Sequence, residues 1–389
     1  MRDLSVLVIG AGMGGLTATL ALQKLGFKVK LYEQALALGE VGAGLTISPN
    51  ATRALEFIGL GPFMAEAADK PSSGALVHYR TGDVLTKTER DGSFLEQYGA
   101  EYYQIHRADL HDALVAAVCA NDKDAILLSH NFDTLTQNET GVTATFTNGE
   151  TVTGDLLIGA DGSRSSVRAS IIDTIAPKFT GQAAFRGMVP AEAVKPYMTI
   201  ANSTTTMGPG RLFTRYYLRH EALVNVVGIT KTEAWKEEGW SIPATREEFL
   251  TEYAGWNENV IGIINAIPKD KLFKWALFDR DPIPEWTVGR ATLLGDAAHP
   301  MLPFLGMGAA MALEDGVVLA RCIEKYKSPA EAFASYEAAR KERTKGVLLD
   351  SRKQGVWYQT SNPDNFKGFS KTGEMRMPLM GYDPGSIPV

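Results

Sequence analysis

Cysteine and histidine are both scarce in this chain, and their scarcity excludes two kinds of site. Only two cysteines occur among 389 residues, Cys119 and Cys322, and each lies in an apolar helical pattern. Two isolated thiols form neither a disulfide framework nor a metal site, and the six histidines lack the spacing of metal ligands. We therefore expect no bound metal, and a reducing compartment, the cytoplasm.

Blocks of like charge and long apolar runs are also missing. The chain carries 39 basic and 45 acidic residues, a formal net charge of −6, without a cluster of either sign. That balance does not indicate nucleic acid or an anionic membrane as a partner. No stretch reaches the roughly 18 apolar residues of a membrane span, and Gly10 interrupts the first apolar run too early for a signal peptide. The sequence predicts a soluble protein without a membrane span.

Glycine is concentrated at the end of the first predicted strand. Residues 4–9 form a short apolar run that predicts a buried parallel strand, and helical periodicity follows over 16–25. Between them lies the run Gly10-Ala11-Gly12-Met13-Gly14-Gly15. Gly10 permits a tight turn, Gly12 lets the backbone approach a pyrophosphate, and Gly15 lets the helix pack close to the strand. The pattern predicts a dinucleotide-binding βαβ unit.

An acidic residue completes this unit. Val29-Lys30-Leu31-Tyr32-Glu33 predicts a second strand, which Glu33 ends. A carboxylate at that position accepts hydrogen bonds from a ribose diol and disfavours a 2′-phosphate. A glycine-rich turn without a ligand is the alternative, and the combination of strand, helix and acid argues against it.

Two further aspartates follow predicted buried strands. Residues 156–160 lead to Asp161-Gly162, and residues 291–294 lead to Gly295-Asp296 ahead of a long predicted helix over 308–325. An ordinary Asp-Gly turn explains the first pair when it is taken alone. Their order behind the amino-terminal glycines indicates one fold that holds FAD along its whole length, with Asp296 placed for the ribityl hydroxyls.

The chain resembles the single-component flavoprotein aromatic hydroxylases, which include salicylate hydroxylase, 6-hydroxynicotinate monooxygenase and 3-hydroxybenzoate 6-hydroxylase. The resemblance runs from residue 1 to about 325. Five segments carry it: Val8-Ile9-Gly10-Ala11-Gly12-Met13-Gly14-Gly15, Val41-Gly42-Ala43-Gly44, His106-Arg107-Ala108-Asp109-Leu110, Ile158-Gly159-Ala160-Asp161-Gly162-Ser163 and Leu294-Gly295-Asp296-Ala297-Ala298-His299-Pro300. It implies bound FAD, with Glu33 at the adenosine ribose and Arg107 along the cofactor. It also places Asp161 at the pyrophosphate and NAD(P)H region, and Asp296 at the ribityl chain or pyrophosphate.

The resemblance also implies a fold. It is an α/β fold, a glutathione-reductase-type FAD-binding Rossmann domain with an inserted, mostly antiparallel β-sheet substrate domain. The strand-like runs between 176 and 275 fit such an insertion. We expect the domains to divide as 1–70, 100–175 and 276–345 for FAD, 71–99 and 176–275 for the substrate, and 346–389 for a carboxy-terminal helix and tail. The tail is a candidate for a homodimer contact.

An enzyme of this kind consumes NADH or NADPH and O2, and hydroxylates an electron-rich ring through a flavin C4a-hydroperoxide. The protein has to stabilise negative charge on the flavin, exclude water and orient the ring. The candidate for stabilising negative charge on the flavin is the turn Met307-Gly308-Ala309, because a helix that begins there directs N–H groups at the flavin N1–C2=O edge. No second dinucleotide motif occurs, so the reductant is expected to bind transiently.

The candidate catalytic residues are two tyrosines of the inserted sheet. Tyr216 and Tyr217 are neighbours on one predicted strand, so only one of them faces inward. We favour Tyr217 as the partner or base for a substrate phenol, and an ordinary half-buried pair is the alternative. Arg186 is a candidate for a substrate carboxylate or for the flavin, with a structural salt bridge as the alternative.

The remaining substrate candidates are Thr46, Phe213 and Phe304, which together with Met307 predict a mostly apolar pocket. Gly306-Met307-Gly308 stands where many relatives have Ala-Gln-Gly, and a thioether in place of an amide predicts a drier wall. Thr46 and Phe304 stand where relatives acting on 6-hydroxynicotinate carry histidines, which argues against that substrate.

Two other polar groups are interpreted as structural. His299 lies between a tight turn and a proline, which favours a hydrogen-bonded structural role over that of a base. Glu314-Asp315 on the long helix is expected to cap or pair locally rather than to form an acid–base pair.

The sequence thus predicts hydroxylation of a small aromatic acid, a hydroxybenzoate of the salicylate type. Alternatives on the same fold are hydroxylation or epoxidation of a hydroxypyridine, a urate-like heterocycle, or a larger polyketide or quinone precursor. A binding protein that keeps the FAD fold without turnover is the non-catalytic alternative. The presence of Glu33, Arg107, Asp161 and Asp296 disfavours it.

Overall fold

The computed structural model describes residues 4–39, 43–90, 92–172, 176–232, 235, 242–365 and 379–389, so Val41 and Gly42 of one predicted motif lie outside the described residues. Its strands are β1 (Ser5–Ile9), β2 (Lys28–Tyr32), β3 (Gly44–Ile47), β4 (Ser73–His78), β5 (Val84–Glu89), β6 (Tyr103–His106), β7 (Ile126–Leu127), β8 (Phe132–Gln137), β9 (Val142–Phe146), β10 (Thr151–Gly154), β11 (Leu156–Gly159), β12 (Lys178–Pro190), β13 (Ser203–Gly208), β14 (Arg211–Leu218), β15 (Leu223–Lys231), β16 (Ile242–Pro243), β17 (Leu272–Asp279), β18 (Thr287–Val288) and β19 (Ala291–Leu293). Its helices are α1 (Met13–Lys24), α2 (Pro49–Phe57), α3 (Gly61–Ala67), α4 (Ser93–Tyr98), α5 (Arg107–Asn121), α6 (Ser166–Ile171), α7 (Ala191–Val194), α8 (Arg246–Glu252), α9 (Glu258–Ala266), α10 (Gly308–Lys325) and α11 (Pro329–Tyr358).

A six-stranded sheet forms the first layer, in the order β18-β19-β11-β1-β2-β7. Its pairs are parallel except β18 with β19. Strand β1 is almost entirely buried and apolar, as expected for a central parallel strand with helices over its faces. Helices α1, α5 and α10 pack together beside this sheet. The predicted βαβ unit is present within one to three residues of the predicted boundaries.

An eight-stranded sheet forms the second layer, in the order β16-β17-β12-β15-β14-β13-β4-β5. Its pairs are antiparallel except β13 with β4. The strands come from two separate parts of the chain, the β4–β5 hairpin and residues 178–279. The predicted fold, a Rossmann domain with an inserted and mostly antiparallel sheet, is confirmed.

A buried ion cluster joins α10 to α11. The Arg340 guanidinium on α11 lies 2.5 Å from Glu314 Oε2 and donates to Asp315 Oδ1 over 2.7 Å, and all three side chains are fully buried. Arg343 donates to the second oxygen of Glu314 over 2.8 Å. The two acids pair with the following helix rather than within α10, so the expectation of local pairing is wrong on this point.

The described helices include none with enough length and apolar character to cross a bilayer.

Candidate active site

One elongated cleft runs between the two layers. It consists of a cavity of about 830 Å³ beside the first glycine turn and a cavity of about 550 Å³ beneath the eight-stranded sheet. Gly12, Arg107 and Asp296 line both cavities, so the two form one continuous cleft. The larger part is here called the nucleotide cavity, and the smaller part the sheet cavity.

The glycine turn between β1 and α1 shows why each glycine is required. Gly10 has φ +104°, and a Cβ added there would lie 2.5 Å from the Ala160 carbonyl oxygen. A Cβ on Gly15 would overlap the Gly10 carbonyl, so the helix can approach the strand only with glycine at this position. A Cβ on Gly14 would lie 2.6 Å from Leu294. Gly12 alone faces open space, with nothing within 4 Å, at the N-terminus of α1 where both cavities meet.

Glu33 borders the nucleotide cavity from the end of β2. Its carboxylate accepts hydrogen bonds from the Ala11 N–H over 2.8 Å and from the Ala35 N–H over 2.9 Å. A carboxylate offers about four acceptor sites, so two of them are left for a diol. His111 accompanies Glu33 here: its Nε2 lies 2.8 Å from the Ala11 carbonyl oxygen, a contact that the sequence did not predict.

Asp296 is enclosed by protein, yet its side chain is exposed to the cleft. Burial raises the pKa of this carboxyl, and the nearby charges of His299, Arg107 and Arg168 oppose the rise. Gly295 precedes it with φ +59°, a conformation that favours glycine. No donor among the described residues is hydrogen-bonded to this carboxylate, which is therefore available to hydroxyl groups of a bound molecule.

A second carboxylate supports that turn from below. Asp315 on α10 accepts from the Gly295 N–H over 2.9 Å, and its Oδ2 lies 2.5 Å from His299 Nε2. Burial alone would raise the pKa of Asp315, but the charges of His299 and Arg340 with these hydrogen bonds hold the pKa at about 2. His299 is therefore engaged in the structural role that the sequence predicts.

Asp161 holds the loop that follows β11. Its carboxylate accepts from Ser165 Oγ over 2.5 Å and from the Val167 N–H over 3.0 Å, and burial raises its pKa. The residue also lines the nucleotide cavity. The structure thus gives it a loop-forming contact, and its role toward the pyrophosphate stays a prediction.

Arg168 is a positioning residue that sequence reasoning missed. The buried guanidinium donates to the carbonyl oxygens of Ser163 and Ala297, both over 2.7 Å. It thereby ties the Asp161 loop to the Asp296 turn. Burial lowers the pKa of Arg168 to about 10, and its charge is retained at neutral pH. Sequence reasoning missed Arg168 because it lies in a short helix, three residues after Ser165, and belongs to no recognisable motif.

The N-terminus of α10 opens onto the sheet cavity. Gly308 and Ala309 line it, as the sequence predicts, which directs the free N–H groups of the first turn toward the cavity. Met307 does not line it: the side chain is 4% exposed, and its sulfur accepts a 3.6 Å contact from Ser48 Oγ. The prediction of a dry wall made by this thioether is therefore wrong, because the residue points into the core.

The register of β14 decides which aromatic residues reach the cavity. Tyr216 lines it, together with Leu212 and Thr214 on the same face. Tyr217 and Phe213 lie on the opposite face and pack into a separate apolar cluster. The preference for Tyr217 and the placement of Phe213 in the pocket are both wrong, because side chains alternate along a strand.

Tyr216 is buried beside the backbone of β3. A Cβ on Gly44 would lie 2.5 Å from the Tyr216 hydroxyl oxygen, so only glycine leaves room for the ring. The Gly44 N–H donates to Asn225 Oδ1 over 2.8 Å, which fixes β3 against the sheet. Burial raises the pKa of Tyr216, and Arg186 opposes the rise. The phenol is therefore protonated at neutral pH and can donate a hydrogen bond.

The other predicted substrate residues do border the sheet cavity. They are Thr46, Arg186 and Phe304. The Arg186 guanidinium stacks over the Trp275 ring at 4.6 Å, where the two cavities join. Phe304 is 7% exposed and packs against Gly355 of α11.

Most of the polar lining was not predicted. Hydroxyl, amide and guanidinium groups from β5, β6, β13 and the residues beside them border the sheet cavity: Thr86, Thr88, Arg90, Tyr102, Gln104, Ser203, Thr204 and Thr205. The expected mostly apolar pocket is wrong in this respect. The sequence signal for these residues is the alternation of side chains between the two faces of the strands Val84–Glu89 and Ser203–Gly208. That alternation does not distinguish a hydroxyl that faces a cavity from one that faces solvent.

Comparison with known proteins identifies the family. Residues 3–351 match the family described as FAD binding domain. The chain is 34% identical over 351 residues to 3-amino-4-hydroxybenzoate 2-monooxygenase PtnB3 of Streptomyces platensis, covering 90% of this chain and 87% of that protein. It is 33% identical over 390 residues to 6-hydroxynicotinate 3-monooxygenase of Pseudomonas fluorescens, covering 99% and 96%.

Solved structures agree. The fold matches HpxO of Klebsiella pneumoniae, complexed with FAD and uric acid, with a TM-score of 0.87 and 25% identity over 98% of this chain and 96% of that one. It matches a salicylate hydroxylase substrate complex with a TM-score of 0.84 and 28% identity, covering 99% and 97%.

The cleft fits FAD. The open space at Gly12, the helix N-terminus beside it, the spare acceptors of Glu33 and the exposed carboxylate of Asp296 suit a pyrophosphate flanked by sugar-like hydroxyls. The chain belongs to the FAD binding domain family, and it is an FAD-dependent, NAD(P)H-consuming monooxygenase of the aromatic-hydroxylase fold.

Proposed function

We propose that this monooxygenase hydroxylates a small, electron-rich aromatic acid of the hydroxybenzoate type. One observation carries the proposal: a buried, protonated phenol, Tyr216, faces a cavity of about 550 Å³ next to the N-terminus of α10. That volume suits a single substituted ring beside a flavin. The two named relatives act on a hydroxybenzoate and on a hydroxynicotinate, which supports the substrate class.

We propose the following placements for FAD. Glu33 accepts from the adenosine ribose, Arg107 lies along the cofactor, and Asp161 serves the pyrophosphate and NAD(P)H region. Asp296 accepts from the ribityl chain. Gly308 and Ala309 present backbone N–H groups to the flavin. Their positions along one cleft support this order.

FAD, reduced by NADH or NADPH, supplies the oxygen activation in this family. The residues of this chain have three tasks around it. The N-terminus of α10 stabilises negative charge at the flavin edge, because its first N–H groups lack helical partners. The Tyr216 phenol donates a hydrogen bond to the substrate oxygen and holds the ring in place while the ring gives electron density to the incoming oxygen. The eight-stranded sheet covers the site and keeps bulk water from it.

Tyr216 acts as a donor, not as a base, in this scheme. Its pKa is raised by burial, so it is neutral at working pH. A neutral phenol stabilises a substrate phenolate by a charge-assisted hydrogen bond, and the phenolate is the more reactive oxygen acceptor.

Hydroxypyridine acids are the second candidate substrate class. The amide of Gln104 and the hydroxyls of Thr205 and Thr214 give the cavity hydrogen-bonding groups that suit a ring nitrogen or lactam. Thr46 and Phe304, in place of histidines, argue against 6-hydroxynicotinate itself.

The proposal also covers the domain boundaries, the cellular location and the oligomeric state. The substrate domain comprises residues 71–99 and 176–275, and the FAD-binding domain comprises 1–70, 100–175 and 276–345. The enzyme works in the cytoplasm with O2 as co-substrate. The carboxy-terminal tail after Trp357 contributes to a homodimer.

Steady-state NADH and NADPH oxidation by the purified FAD-loaded protein tests the proposal. We expect salicylate, 3-hydroxybenzoate or 3-amino-4-hydroxybenzoate to accelerate the oxidation at least about 10-fold and to yield a hydroxylated product. Acceleration by 6-hydroxynicotinate alone would favour the second substrate class. No acceleration by any hydroxybenzoate or hydroxypyridine would reject the substrate class.

A further inference from the structure

Arg90 lines the sheet cavity but not the nucleotide cavity. It follows directly after β5, and its backbone N–H donates to the Ser72 carbonyl oxygen over 2.7 Å. Its guanidinium lies over the Tyr102 ring at 4.5 Å and 5.9 Å from the Phe94 ring centre. Stacking on these aromatic rings restrains the orientation of the planar group, and the same residue lines the cavity.

The guanidinium has no carboxylate partner among the described residues. Its one side-chain hydrogen bond there is a long contact of 3.5 Å to Ser203 Oγ, and its Nε is buried without an acceptor. A guanidinium carries five N–H donors, so most of them are unused. A half-buried cation with unused donors at a cavity wall is suited to an anion.

The other two arginines that line the sheet cavity lie elsewhere. Arg107 and Arg186 line both cavities and therefore stand at the cofactor end, whereas Arg90 lines the sheet cavity alone. Gly74 makes room for it: a Cβ there would lie 2.7 Å from Arg90 Nη2. The sheet thus has a space for this side chain, which reaches from the edge of the sheet across β4 to Ser203 of β13.

Tyr102 connects this cation to Tyr216. The Tyr102 ring lies under the Arg90 guanidinium and lines the same cavity as Tyr216. The cavity therefore offers one ligand both a phenol donor, Tyr216, and a cation, Arg90. A hydroxybenzoate carries a phenol oxygen and a carboxylate on one ring, which are the groups that such a donor and such a cation bind.

We propose that Arg90 binds the carboxylate of the substrate and makes this enzyme selective for aromatic acids over the matching uncharged phenols. The inference rests on the proposed function and specifies its substrate class. A planar guanidinium binds a carboxylate through two parallel hydrogen bonds, which a carboxamide cannot reproduce. Because this ion pair is partly buried, it contributes more to the binding free energy than an ion pair on the surface does.

Matched acid and amide probes test the proposal. Salicylate and 2-hydroxybenzamide form one pair, and 3-hydroxybenzoate and 3-hydroxybenzamide form another. Dissociation constants come from the absorbance change of the bound flavin. We expect the wild-type enzyme to bind the acid of at least one pair about 100-fold more tightly than the amide, a typical effect of a desolvated charge pair.

Two substitutions at Arg90 and one control complete the design. Arg90→Gln should weaken acid binding about 100-fold and leave amide binding within about threefold, and Arg90→Lys should restore part of the difference. Arg80→Gln is the control, because Arg80 also stacks on a tyrosine, Tyr79, in the same hairpin but is exposed and lines neither cavity. It should leave both constants unchanged.

Other outcomes overturn the proposal. If Arg90→Gln weakens acid and amide equally, Arg90 only supports Tyr102 and Phe94. If it leaves the acid preference intact, another residue binds the carboxylate. In both cases acids are still hydroxylated and the proposed function stands. Two results would reject the proposed substrate class together with the role of Arg90. In the first, the wild-type enzyme turns over the amides alone. In the second, NADH reduces its FAD, but none of the four probes is turned over.

Discussion

The two walls of the cleft are built in different ways. The nucleotide side presents mainly backbone groups, from glycine turns and helix N-termini. Carboxylates such as Asp161 and Asp315 hold the loops there by accepting hydrogen bonds from main-chain N–H groups. The sheet side consists of side chains that alternate along strands, such as Thr214 and Tyr216 on β14. In the proposed function, the first wall binds the FAD that the whole family uses, and the second wall determines which substrate this chain accepts.

The difference has a consequence for substitutions. A change on the nucleotide side should act on folding or on FAD retention, because the groups there are tied to the backbone. A change on the sheet side should act on substrate constants and leave the fold intact. Four predictions, from the largest expected effect to the smallest, test that separation.

Gly15→Ala should destabilise the apoprotein by about 4 kcal/mol or more, because the new Cβ overlaps the Gly10 carbonyl and backbone cannot move aside. Gly12→Ala is the matched control: its Cβ meets nothing within 4 Å, so the apoprotein should melt as the wild type does. FAD affinity of Gly12→Ala should nonetheless fall at least about 10-fold, since the cofactor is expected in that space. Thermal melting and flavin fluorescence titration measure the two effects. Equal stability of the two variants would contradict the assignment of these glycines.

Asp315→Asn should cost about 3–5 kcal/mol, because it leaves the buried Arg340 without one of its charge partners. The pH dependence is a sharper test. The pKa of Asp315 is held at about 2, below its ordinary value of 3.8, so the ionised form stabilises the fold above about pH 4. That contribution, about 2 kcal/mol, is lost as the pH falls from 4 toward 2.

Urea unfolding of the wild type and of Asp315→Asn between pH 6 and pH 3 measures this effect. The wild type should lose more stability than the variant over that interval. An identical decline in both proteins would show that the Asp315 carboxylate is not the group that titrates.

Tyr216→Phe should lower kcat/KM for the hydroxylated acid about 10- to 100-fold, the effect of one hydrogen bond to a charged oxygen. FAD affinity and the melting temperature should change little. Tyr217→Phe, on the opposite face of β14, should leave kcat/KM within about twofold. Steady-state kinetics on both variants provides the comparison. A larger loss in Tyr217→Phe would restore the rejected preference for that residue.

Met307→Leu should have the smallest effect. The side chain is buried beside Ser48 and lines neither cavity among the described residues, so substrate KM should stay within about twofold. A volume-conserving core exchange costs less than about 1.5 kcal/mol. Phe304→Leu, which does reshape the cavity wall, is the reference and should change KM more. A strong KM effect at Met307 would place its side chain in the pocket after all.

The same difference explains what sequence reasoning predicted. Gly10, Gly12, Glu33 and Asp296 carry local motifs, because a backbone turn that admits a phosphate demands particular residues at fixed spacing. The strands and helices around them could therefore be placed closely, including α10 and the β9–β10 hairpin.

The sheet side had no such signal. Two of its wrong predictions, Tyr217 and Phe213, lie on the correct strand but on the wrong face, because alternation does not say which face is covered. Arg90 and Gln104 were missed because they belong to different sheets, the edge of the eight-stranded sheet and the β3–β6 pair, which border one cavity only in the folded chain. Met307 was misplaced because a helix cap can direct a side chain either into a cavity or into the core.

Isotope incorporation tests the central claim most directly. The FAD-loaded enzyme is supplied with NADH, a hydroxybenzoate that accelerates its oxidation, and ¹⁸O2, and the product is analysed by mass spectrometry. We predict a hydroxylated aromatic acid with one ¹⁸O atom at the new hydroxyl group. NADH oxidation that yields only hydrogen peroxide with every acid tested, or a product oxygen derived from water, would contradict the account.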